Sequence, residues 1–523
     1  METINELLNT AVERYRNRIV FIEPDGETSI TSVTYGGLLE RVHNFAGYLQ
    51  GEKLEKGDRI LLWSASRIDW MVACLGALLI GAVIVPLDVN SKEDFISRIE
   101  ESTEAKYLIT TQKQYRGLKQ PPAPLIDIDD LPKGTLDRAT LPEIAGNDLA
   151  ELVFTSGTTG QPKGVMLSHR NIASNATTAV KVVNILSDDR ALSILPLSHM
   201  FEFTIEIALV YAGASIVYAR TLSPDTLLKL LATQDVTIMV LVPQVLQLFM
   251  NGIERQVRQL KKEKQWEVLH RIAAHLPFRL RPVLFREVHK RFGRHFRFFV
   301  SGGAYLPPGL HKRWENMGFR VLQGYGATEC SPVVSATPFE EHLSDSIGKP
   351  LPGVEVHIAE DGELLVKGPN VALGYWKNPE ATAATFKDGW YYTGDLGYMD
   401  EKGNLYLKGR KKNLIVLANG LNVYPEDIEN VLVTNPDVKE AVVFGLMEGD
   451  QGPIVHGVLL MEDPGKAKTA IQQANKQLAS HQQVRDFTIW PEEDFPRTHT
   501  LKVKRPEVLE KLQAMRSEIK AES

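Results

Sequence analysis

Apolar and polar residues alternate along the first part of the chain in a way that predicts short strands separated by helices. β-Rich runs such as "RILLWSA" and "AVIVPLD" lie between helix-like stretches in the first 110 residues. The pattern resumes after Leu149 with "AELVFTSG", "RALSILPLS", "ASIVYAR", "VTIMVLVP" and "FRFFVSGG", each followed by a Gly, Ser or Pro turn and a helical stretch. This repetition favours α/β layers built on parallel strands.

After Ile347 the hydrophobic pattern changes to a period of two. "GVEVHIAEDGELLVKGPN" and "GYMDEKGNLYLKGR" alternate around Asp-Gly and Lys-Gly turns, which predicts antiparallel hairpins. "YPEDIENVLVTN" predicts an amphipathic helix with Pro425 near its first turn. We therefore expect a large N-terminal domain of α/β layers with an added β-rich subdomain over residues 1–410. A small, mobile α+β lid domain over residues 411–523 follows, with the hinge near residues 410–412 in "GRKKN".

Composition and charge narrow the class of protein. The chain has 523 residues, 43% apolar and 24% charged, as is ordinary for soluble proteins, and its net charge of -6 gives no overall attraction to nucleic acid. Its two cysteines, Cys74 and Cys330, disfavour a disulfide framework and suit a reducing cytosol. The N-terminus lacks the layout of a signal peptide. The longest apolar run, Met71 to Pro86, falls short of a bilayer span and predicts a buried helix ending near Gly81, then a core strand. We expect a soluble cytoplasmic enzyme.

The stretch "TSGTTGQPKG", from Thr155 to Gly164, has the composition of a phosphate-binding loop. Glycines let the backbone approach an anion, successive N–H groups and hydroxyls can bind phosphate oxygens, and Lys163 adds a cation. The spacing is not G-x-x-x-x-G-K-[ST], because Pro162 precedes the lysine and no Ser or Thr follows it, which disfavours a Walker-type NTPase. Gly/Ser/Thr turns without a function are common, so the loop alone leaves both interpretations open.

Two further turns carry groups that suit a nucleotide. In "QGYGATE" the face of Tyr325 can lie against a planar base, and Glu329 is a hard oxygen donor suited to Mg²⁺ bound to phosphates. In "WYYTGDLG" the carboxylate of Asp395 can accept two ribose hydroxyls. The structural alternatives are a core tyrosine, a solvated glutamate and an Asx turn in a hairpin, and in isolation each is the more common case.

A fourth motif, "FPRTHTLKVKR", lies near the C-terminus. Lys502 and Lys504 alternate there on a short extended segment after a Pro-containing turn. A basic strand edge is usually solvated and prevents aggregation through strand pairing. The spacing alone therefore assigns a functional role to neither lysine.

In this order, the four motifs resemble those of the adenylate-forming superfamily, which includes acyl- and aryl-CoA synthetases, luciferases and peptide-synthetase adenylation domains. "GPNVALGYWKNPEAT" (Gly368 to Thr382) and "NGLNVYPEDIE" (Asn419 to Glu429) also match the family's pattern, so the resemblance covers nearly the whole chain. It implies that a carboxylate attacks the α-phosphate of ATP to give an acyl-adenylate and pyrophosphate. The acyl group then passes to a thiol, usually that of coenzyme A.

The resemblance implies a role for each matched residue of the nucleotide site. Tyr325 would stack on adenine, Thr328 would touch the α-phosphate, and Glu329 would bind Mg²⁺. Asp395 and Arg410 would hold the ribose hydroxyls. The first loop would hold the β- and γ-phosphates through Thr155, Ser156, Gly157, Thr158, Thr159, Gly160 and Lys163. Other implied nucleotide contacts are Gly303, Ala304, Gly324 and Gly326.

The resemblance also assigns residues of the C-terminal domain. Lys502 matches the catalytic lysine of the pattern P-x-T-x-x-G-K and would bridge the attacking carboxylate and the α-phosphate. Leu501 stands where the family has glycine, so Lys504 remains the alternative. Lys412 matches the hinge about which the small domain rotates between half-reactions. Gly420 would let the pantetheine arm of CoA pass close to the backbone, although a tight turn explains that glycine equally well.

The acid-binding side is predicted from "LPLSHMFEFT" (Leu195 to Thr204), which resembles the long-chain fatty acyl-CoA synthetase branch. There His199 would contribute to catalysis and to the acyl pocket. Phe201 stands where an amino-acid-activating domain needs an aspartate, while the neighbouring Glu202 keeps that alternative open. A second wall, "SGGAYL", offers room for a chain through its small residues Gly302, Gly303 and Ala304.

Between Ile253 and Phe298 the chain is basic, with thirteen Lys and Arg against four Glu. Apolar residues are interleaved with these charges, as in an interfacial helix: Trp266, Leu269, Ile272, Leu276 and Phe278. The segment could therefore contact the inner face of an anionic membrane and collect fatty acids. A solvated helical pair that caps the domain explains the pattern about as well.

The sequence thus predicts a long-chain fatty acid–CoA ligase that forms AMP and uses ATP, Mg²⁺ and CoA. A related alternative is a fatty acyl-AMP ligase that loads a carrier protein, although no large insertion favours it. An alternative of another class is a catalytically impaired lipid-binding or scaffold protein that retains the fold. Only Leu501 supports the last, and four intact charged residues oppose it: Lys163, Glu329, Asp395 and Arg410.

Overall fold

Two compact units make up the chain. The computed structural model describes residues 1–25, 29–155, 162–447, 452–497 and 503–522. Unit 1 comprises Met1–Val356 and Val366–Tyr391, and unit 2 comprises His357–Leu365 and Tyr392–Ser523. The predicted fold class, a large domain of α/β layers with a small α+β domain, is confirmed. The predicted boundary at residues 410–411 stays a prediction.

The helices of unit 1 begin at recognisable caps. The side chain of Thr3 accepts a hydrogen bond from Glu6 in a capping box, and Ser168 does the same with Asn171. Prolines lie in the first turn of five later helices of this unit. The helices are α1 Ile4–Tyr15, α2 Tyr35–Gly51, α3 Ile68–Leu79, α4 Glu93–Thr103, α5 Gln112–Arg116, α6 His169–Val182, α7 Met200–Ala212, α8 Pro224–Thr233, α9 Pro243–Gln259, α10 Glu263–Ala274, α11 Arg281–Leu284, α12 Arg286–Phe292, α13 Pro308–Asn316 and α14 Pro379–Thr385.

A nine-stranded sheet forms one layer of unit 1. Its central strands pair in parallel, as the alternation of strands and helices predicts, and antiparallel strands close both edges. In spatial order the strands are β15 Lys349–Pro350, β14 Val333–Ala336, β13 Arg320–Gly326, β12 Phe298–Ser301, β11 Ile238–Leu241, β9 Arg190–Ser193, β10 Ser215–Tyr218, β1 Ile19–Asp25 and β2 Ser29–Thr34.

A seven-stranded sheet forms the other layer. Parallel pairing again dominates, but β7 and β8 are antiparallel and frame the predicted phosphate loop. In spatial order the strands are β18 Gly374–Tyr375, β8 Lys163–Ser168, β7 Leu149–Thr155, β4 Val83–Leu87, β3 Arg59–Trp63, β5 Tyr107–Thr110 and β6 Leu125–Asp127.

The main core contains apolar residues from both sheets and from the helices α1, α2, α3, α6 and α7. Helix α3 is apolar on nearly all sides and almost completely buried, because it carries most of the apolar run that begins at Met71. That helix ends at Leu79 and β4 follows, as the sequence predicts. Trp70 of α3 is fully buried and its ring lies 5.9 Å from that of Phe203 on α7.

Unit 2 has a core of its own. Strands β24 (Val438–Met447) and β25 (Pro453–Met461) pair antiparallel, and β26 (Asp486–Ile489) pairs parallel with β25. One face packs against α15 (Pro425–Leu432) and α16 (Ala467–Asn475), and the other against α17 (Arg505–Glu522). The other described strands are β19 Phe386–Lys387 of unit 1, three that include residues of both units, β16 Glu355–Ile358, β17 Glu363–Lys367 and β20 Trp390–Met399, and β21 Leu405–Arg410, β22 Ile415–Val416 and β23 Asn422–Val423 of unit 2.

The basic segment from Ile253 to Phe298 is not one interfacial helix. It contains the end of α9, then α10, α11 and α12, separated by turns. Trp266, expected on its apolar face, is buried, with its ring 5.4 Å from Phe285 and 4.7 Å from His270. Aromatic packing inside the segment therefore buries one of the five apolar residues interleaved with its charges.

We expect Trp70→Ala to lower the free energy of unfolding by about 3–5 kcal/mol, because truncating a buried tryptophan leaves a cavity in the shared core. Chemical denaturation followed by circular dichroism measures the effect. Leu260→Ala is the matched control, since Leu260 is 65% exposed and should change stability by less than about 0.5 kcal/mol. Equal effects of the two variants would contradict this view of the core.

Candidate active site

Three residues that are distant in sequence form a contiguous row in unit 1. Lys163 begins β8, and its Nζ lies 5.1 Å from the centroid of the Tyr375 ring. Tyr375 reaches this place because β18 pairs antiparallel with β8, with Tyr375 opposite Val165. Its Oη donates a hydrogen bond to Oε1 of Glu329 at 2.9 Å. The lysine predicted to bind phosphate and the carboxylate predicted to bind Mg²⁺ thus lie on either side of one tyrosine.

The predicted phosphate loop is only partly within the described residues. Thr155 is the last residue of β7 and lies opposite Lys163 in the antiparallel pair. The intervening predicted contacts, Ser156, Gly157, Thr158, Thr159 and Gly160, lie outside the described residues. Their assignment stays a prediction.

The "QGYGATE" motif forms the end of β13 and the turn after it. Gly324 lies opposite Ala336 on β14, and Tyr325 is buried with 9% of its surface exposed. At Gly326 an added β-carbon would lie 1.7 Å from the carbonyl oxygen of Pro332, so the close approach of the two backbones requires glycine. Thr328 and Glu329, both half-buried, follow in a single 3-10 turn.

Polar side chains fix the turn that follows Glu329. Nδ2 of Asn175 donates to the carbonyl of Val333 at 2.6 Å, and Nδ2 of Asn370 donates to the carbonyl of Cys330 at 3.1 Å. The hydroxyl of Thr204 donates to the carbonyl of Ser331 at 3.1 Å. These buried bonds satisfy backbone acceptors that secondary structure leaves unpaired, and they fix where the Glu329 carboxylate lies.

Sequence reasoning missed several of these supporting residues. Tyr375 and Asn370 belong to "GPNVALGYWKNPEAT", which was recognised as a motif without roles for its members. A signal did exist on α6, where Asn171 and Asn175 are four residues apart on a face that is otherwise buried and apolar. Amides in such positions need partners, so they point to a fixed backbone segment nearby.

Glu329 fits a nucleotide-bound Mg²⁺ rather than a metal held by protein alone. Among the residues that the structure describes, no group of three His, Cys, Asp or Glu side chains could hold a metal ion. Mg²⁺ that accompanies a nucleotide needs only one or two carboxylates, because phosphate and water oxygens complete its coordination. A single carboxylate oriented by Tyr375 meets that requirement.

Phe201 and Gly302, both predicted to line the acyl pocket, are in contact. Phe201 lies in the first turn of α7, and a β-carbon on Gly302 would lie 2.8 Å from Cζ of its ring. His199 precedes α7, and its Nε2 lies 3.7 Å from Oδ2 of Asp88. Gly303 is exposed and Ala304 half-buried after β12. An aromatic ring against a glycine therefore bounds the space that the small residues were expected to leave open.

Two carboxyl groups are buried one helical turn apart next to Phe201. Glu202 is 2% and Glu206 0% exposed, and the hydroxyl of Tyr218 donates to Oε2 of Glu206 at 2.7 Å. Burial raises the pKa of Glu206 to about 8, and burial together with the Glu206 charge raises the pKa of Glu202. Both shifts favour the protonated, neutral form of the carboxyl, which does not attract an ammonium group.

In unit 2 the structure brings together the two residues predicted to bind ribose. Asp395 on β20 lies opposite Arg410 on β21 in the antiparallel register. Nε of Arg410 donates to Oδ1 of Asp395 at 2.6 Å, and the Asp395 side chain is only 8% exposed. The two predicted residues are therefore neighbours in space, although they are distant in sequence.

The other predicted residues of unit 2 lie on turns. Lys412 is in a short 3-10 turn, where burial and the charges of Arg410 and Arg505 lower its pKa. Gly420 has a φ of +80° in the turn between β22 and β23, with open space where a β-carbon would point, so its left-handed backbone favours glycine. Leu501 and Lys502 lie outside the described residues, whereas Lys504 pairs with Glu507 at 2.8 Å.

Comparison with known protein families gives two matches that together span most of the chain. The family described as AMP-binding enzyme matches residues 8–376, and the AMP-binding enzyme C-terminal domain matches residues 412–521. The first match contains the row of Lys163, Tyr375 and Glu329. It ends before Asp395.

Relatives and solved structures extend these matches. The chain is 30% identical to the long-chain-fatty-acid–CoA ligase FadD15 of Mycobacterium bovis, over 92% of this chain and 91% of that protein. It is also 30% identical to the 2-succinylbenzoate–CoA ligase of Bacillus licheniformis, over 87% of this chain and 90% of that protein. The o-succinylbenzoate coenzyme A synthetase of Bacillus subtilis, solved in complex with ATP and magnesium ion, is similar in structure with a TM-score of 0.77, 26% identity and coverage of 96% and 98%.

We expect Glu206→Gln to remove a loss of stability that the protein otherwise shows as pH rises. The folded-state pKa of Glu206, about 8, exceeds its ordinary value of 4.5, so the folded protein keeps a proton that the unfolded chain releases. The resulting stabilisation is complete below about pH 4.5 and is lost as pH rises through about 8. The neutral glutamine avoids that loss, on the order of a few kcal/mol.

Chemical denaturation at about pH 5 and about pH 8.5 tests this expectation. The free energies of unfolding of wild type and variant should be closest at the lower pH, and the variant should be the more stable at the higher pH. Glu13→Gln, at an exposed position of α1, is the control and should follow wild type at both values. A decline in Glu206→Gln as steep as that of wild type would refute the assignment.

Proposed function

The chain belongs to the AMP-binding enzyme family, and we propose that the acid it activates is a long-chain fatty acid. It is an AMP-forming acid–CoA ligase that uses ATP, Mg²⁺ and coenzyme A. The proposal therefore concerns the acid, the residues that carry the reaction and the place where the reaction occurs.

The contact between Phe201 and Gly302 carries the choice of a fatty acid. An aromatic ring packed on glycine makes an apolar wall, which suits a hydrocarbon chain. A dicarboxylic acid such as 2-succinylbenzoate has a second carboxylate that needs a cation. The ionisable side chains on α7, the helix that carries Phe201, are instead the carboxyls of Glu202 and Glu206. Identity is 30% both to the long-chain-fatty-acid–CoA ligase and to the 2-succinylbenzoate–CoA ligase, so the apolar wall, and not the identity, favours the fatty acid.

In the first half-reaction an oxygen of the fatty carboxylate forms a bond to the α-phosphorus, and the bond from that phosphorus to the bridging oxygen of pyrophosphate breaks. Lys163 and the loop after Thr155 bind the departing phosphates, while Asp395 and Arg410 hold the ribose. Lys502 bridges the carboxylate and the α-phosphate, where negative charge accumulates. Mg²⁺, when bound, offsets charge on the phosphate oxygens. Glu329, oriented by Tyr375, would hold that ion.

In the second half-reaction the CoA sulfur bonds to the acyl carbon, AMP leaves with the electron pair of the broken C–O bond, and the thiol proton passes to solvent. We propose that the domain boundary falls at residues 410–411 and that Lys412 is the hinge for the change between half-reactions. Gly420 then admits the pantetheine arm. Its left-handed backbone, free of a side chain, supports that role.

Acyl-CoA and AMP formation from ATP and CoA should be highest for long-chain acids in a series from acetate to oleate that includes benzoate and 2-succinylbenzoate. Lys502→Ala should lower adenylation by about 10²–10³-fold, as loss of a group that stabilises transition-state charge does. Lys504→Ala is the matched control, because Lys504 is paired with Glu507 and should be dispensable. ATP–pyrophosphate exchange isolates the first half-reaction.

The other outcomes decide between the alternatives. Highest turnover on 2-succinylbenzoate would refute the fatty acid. Pyrophosphate exchange without acyl-CoA would indicate a carrier-protein acceptor. Absence of exchange with every acid would favour a scaffold protein that retains the fold.

We also propose that the basic segment between Ile253 and Phe298 contacts an anionic membrane surface, which makes this cytoplasmic enzyme peripheral. Unusually exposed apolar side chains there support this: Leu260 is 65%, Leu280 52% and Val283 73% exposed, in a segment rich in Lys and Arg. Among the described residues, no helix is both long and apolar enough to cross a bilayer.

Sedimentation with vesicles tests the contact. The enzyme should bind vesicles that contain phosphatidylglycerol more than vesicles of phosphatidylcholine alone, and less at high salt, because salt screens the attraction. Val283→Asp should weaken binding. Leu222→Asp is the control, since Leu222 is 44% exposed but lies outside the segment. Equal binding by both variants, or no preference for anionic lipid, would refute the proposal.

A further inference from the structure

One buried carboxylate contacts the chain on both sides of the Asp395–Arg410 pair. Glu363, the first residue of β17, is 6% exposed. Its Oε1 accepts a hydrogen bond from the backbone N–H of Gly394 at 2.8 Å. Its Oε2 accepts one from Nζ of Lys411, also at 2.8 Å. Gly394 immediately precedes Asp395, and Lys411 immediately follows Arg410.

A second residue of β17, Leu364, is bonded to the same stretch of β20. The hydroxyl of Thr393 donates to the carbonyl of Leu364 at 2.8 Å and accepts the backbone N–H of Asp395 at 3.0 Å. Glu363 and Leu364 therefore orient two consecutive N–H groups, one directly and one through Thr393. The Glu363 and Thr393 side chains thus tie the Gly394–Asp395 stretch of β20 to the neighbouring strand β17.

Lys411 supplies the charge that lets Glu363 remain buried as a carboxylate. An unpaired buried carboxylate is costly, and a charge-assisted bond offsets that cost. Nζ of Lys411 also contacts Asp361 at 2.6 Å. The two carboxylates raise the pKa of Lys411, which keeps its ammonium group charged. Asp361 and Lys411 are both about half-exposed, so the buried member of the cluster is Glu363.

We propose that Glu363, paired with Lys411, is a positioning residue for ribose binding, which fixes the distance and orientation between Asp395 and Arg410. The proposal rests on the proposed function, because it assumes that this pair holds the nucleotide. Glu363 itself does not touch the nucleotide. It acts on the residue before the aspartate and the residue after the arginine, so a shift at Glu363 moves both ends of the pair.

The proposal predicts which substitutions matter. Lys411→Gln leaves Glu363 buried without its cation, and the carboxylate should then move toward water and release the N–H of Gly394. Affinity for ATP should fall about tenfold, the size typical of losing a charged hydrogen bond. Lys411→Arg retains the positive charge and should keep most of the wild-type affinity for ATP. Asp361→Asn should change affinity by less than about twofold, because an exposed ion pair contributes little.

Two measurements on the full-length enzyme test it. The Kd for ATP is measured by calorimetry without any acid, and amide exchange of the 393–396 segment is measured by mass spectrometry without nucleotide. Lys411→Gln should weaken ATP binding and speed amide exchange of residues 393–396. Lys411→Arg should show neither change to the same extent. The KM for the acid should stay near the wild-type value, which a general loss of structure would not allow. Lys439→Gln is the matched control, because Lys439 forms an exposed pair with Glu462 at 2.7 Å elsewhere in unit 2.

The results separate this inference from the proposed function. Faster exchange without weaker ATP binding in Lys411→Gln would overturn the inference, as would unchanged exchange. Equal effects of Lys411→Gln and Lys439→Gln would also overturn it. A wild-type enzyme that binds ATP but activates no fatty acid would refute the proposed acid, while the comparison among the Lys411 variants would still decide the role of Glu363.

Discussion

The tyrosine at position 375 solves an electrostatic problem on which the site of unit 1 depends. The lysine that we propose for phosphate and the carboxylate that we propose for Mg²⁺ have opposite charges, and at short range they would pair with each other instead of with a nucleotide. Tyr375 separates them, because its ring faces Lys163 while its hydroxyl bonds to Glu329. The short pairing of β18 with β8 holds the tyrosine there, and hydrogen bonds from Asn175 and Asn370 hold the turn after Glu329. Strand pairing and buried side-chain hydrogen bonds thus keep the two charges apart.

Raised pKa values explain how two carboxyl groups can be buried on the helix that carries Phe201, because the protonated form has no charge to desolvate. Glu202 and Glu206 lie in a helix that is otherwise apolar and buried, next to the ring that we assign to the fatty chain. Ionised, they would disfavour a hydrocarbon nearby and would be costly to desolvate. Their raised pKa values favour the neutral form, and the hydroxyl of Tyr218 donates a hydrogen bond to Glu206. Formal charge in a sequence is therefore a poor guide to the polarity of this wall.

Local pattern predicted much of the fold and the positions of the motif residues. The apolar run that became α3 and β4, and the helix that begins at Pro425, follow from periodicity and from residues that start helices. The contact of Asp395 with Arg410 follows from two recognisable motifs. Glu363 with Lys411, and Asn370 with Cys330, were not predictable, because such pairs depend on strand register over 40 to 48 residues of intervening chain. The burial of Trp266 was not predictable for a related reason: helical spacing shows which residues share a face, but not what covers that face.

The ion pair between Asp395 and Arg410 bears on how fast a nucleotide can arrive. A nucleotide that binds at this pair, as we propose, approaches as a polyanion, and an uncompensated carboxylate there would repel it over roughly a Debye length, about 8–10 Å in physiological salt. Arg410 compensates Asp395 within the protein itself. The pair itself contributes the field of a neutral dipole, which decays faster with distance than the field of a charge. The carboxylate thus presents hydrogen-bond acceptors to a neighbour at contact distance without slowing the diffusional encounter.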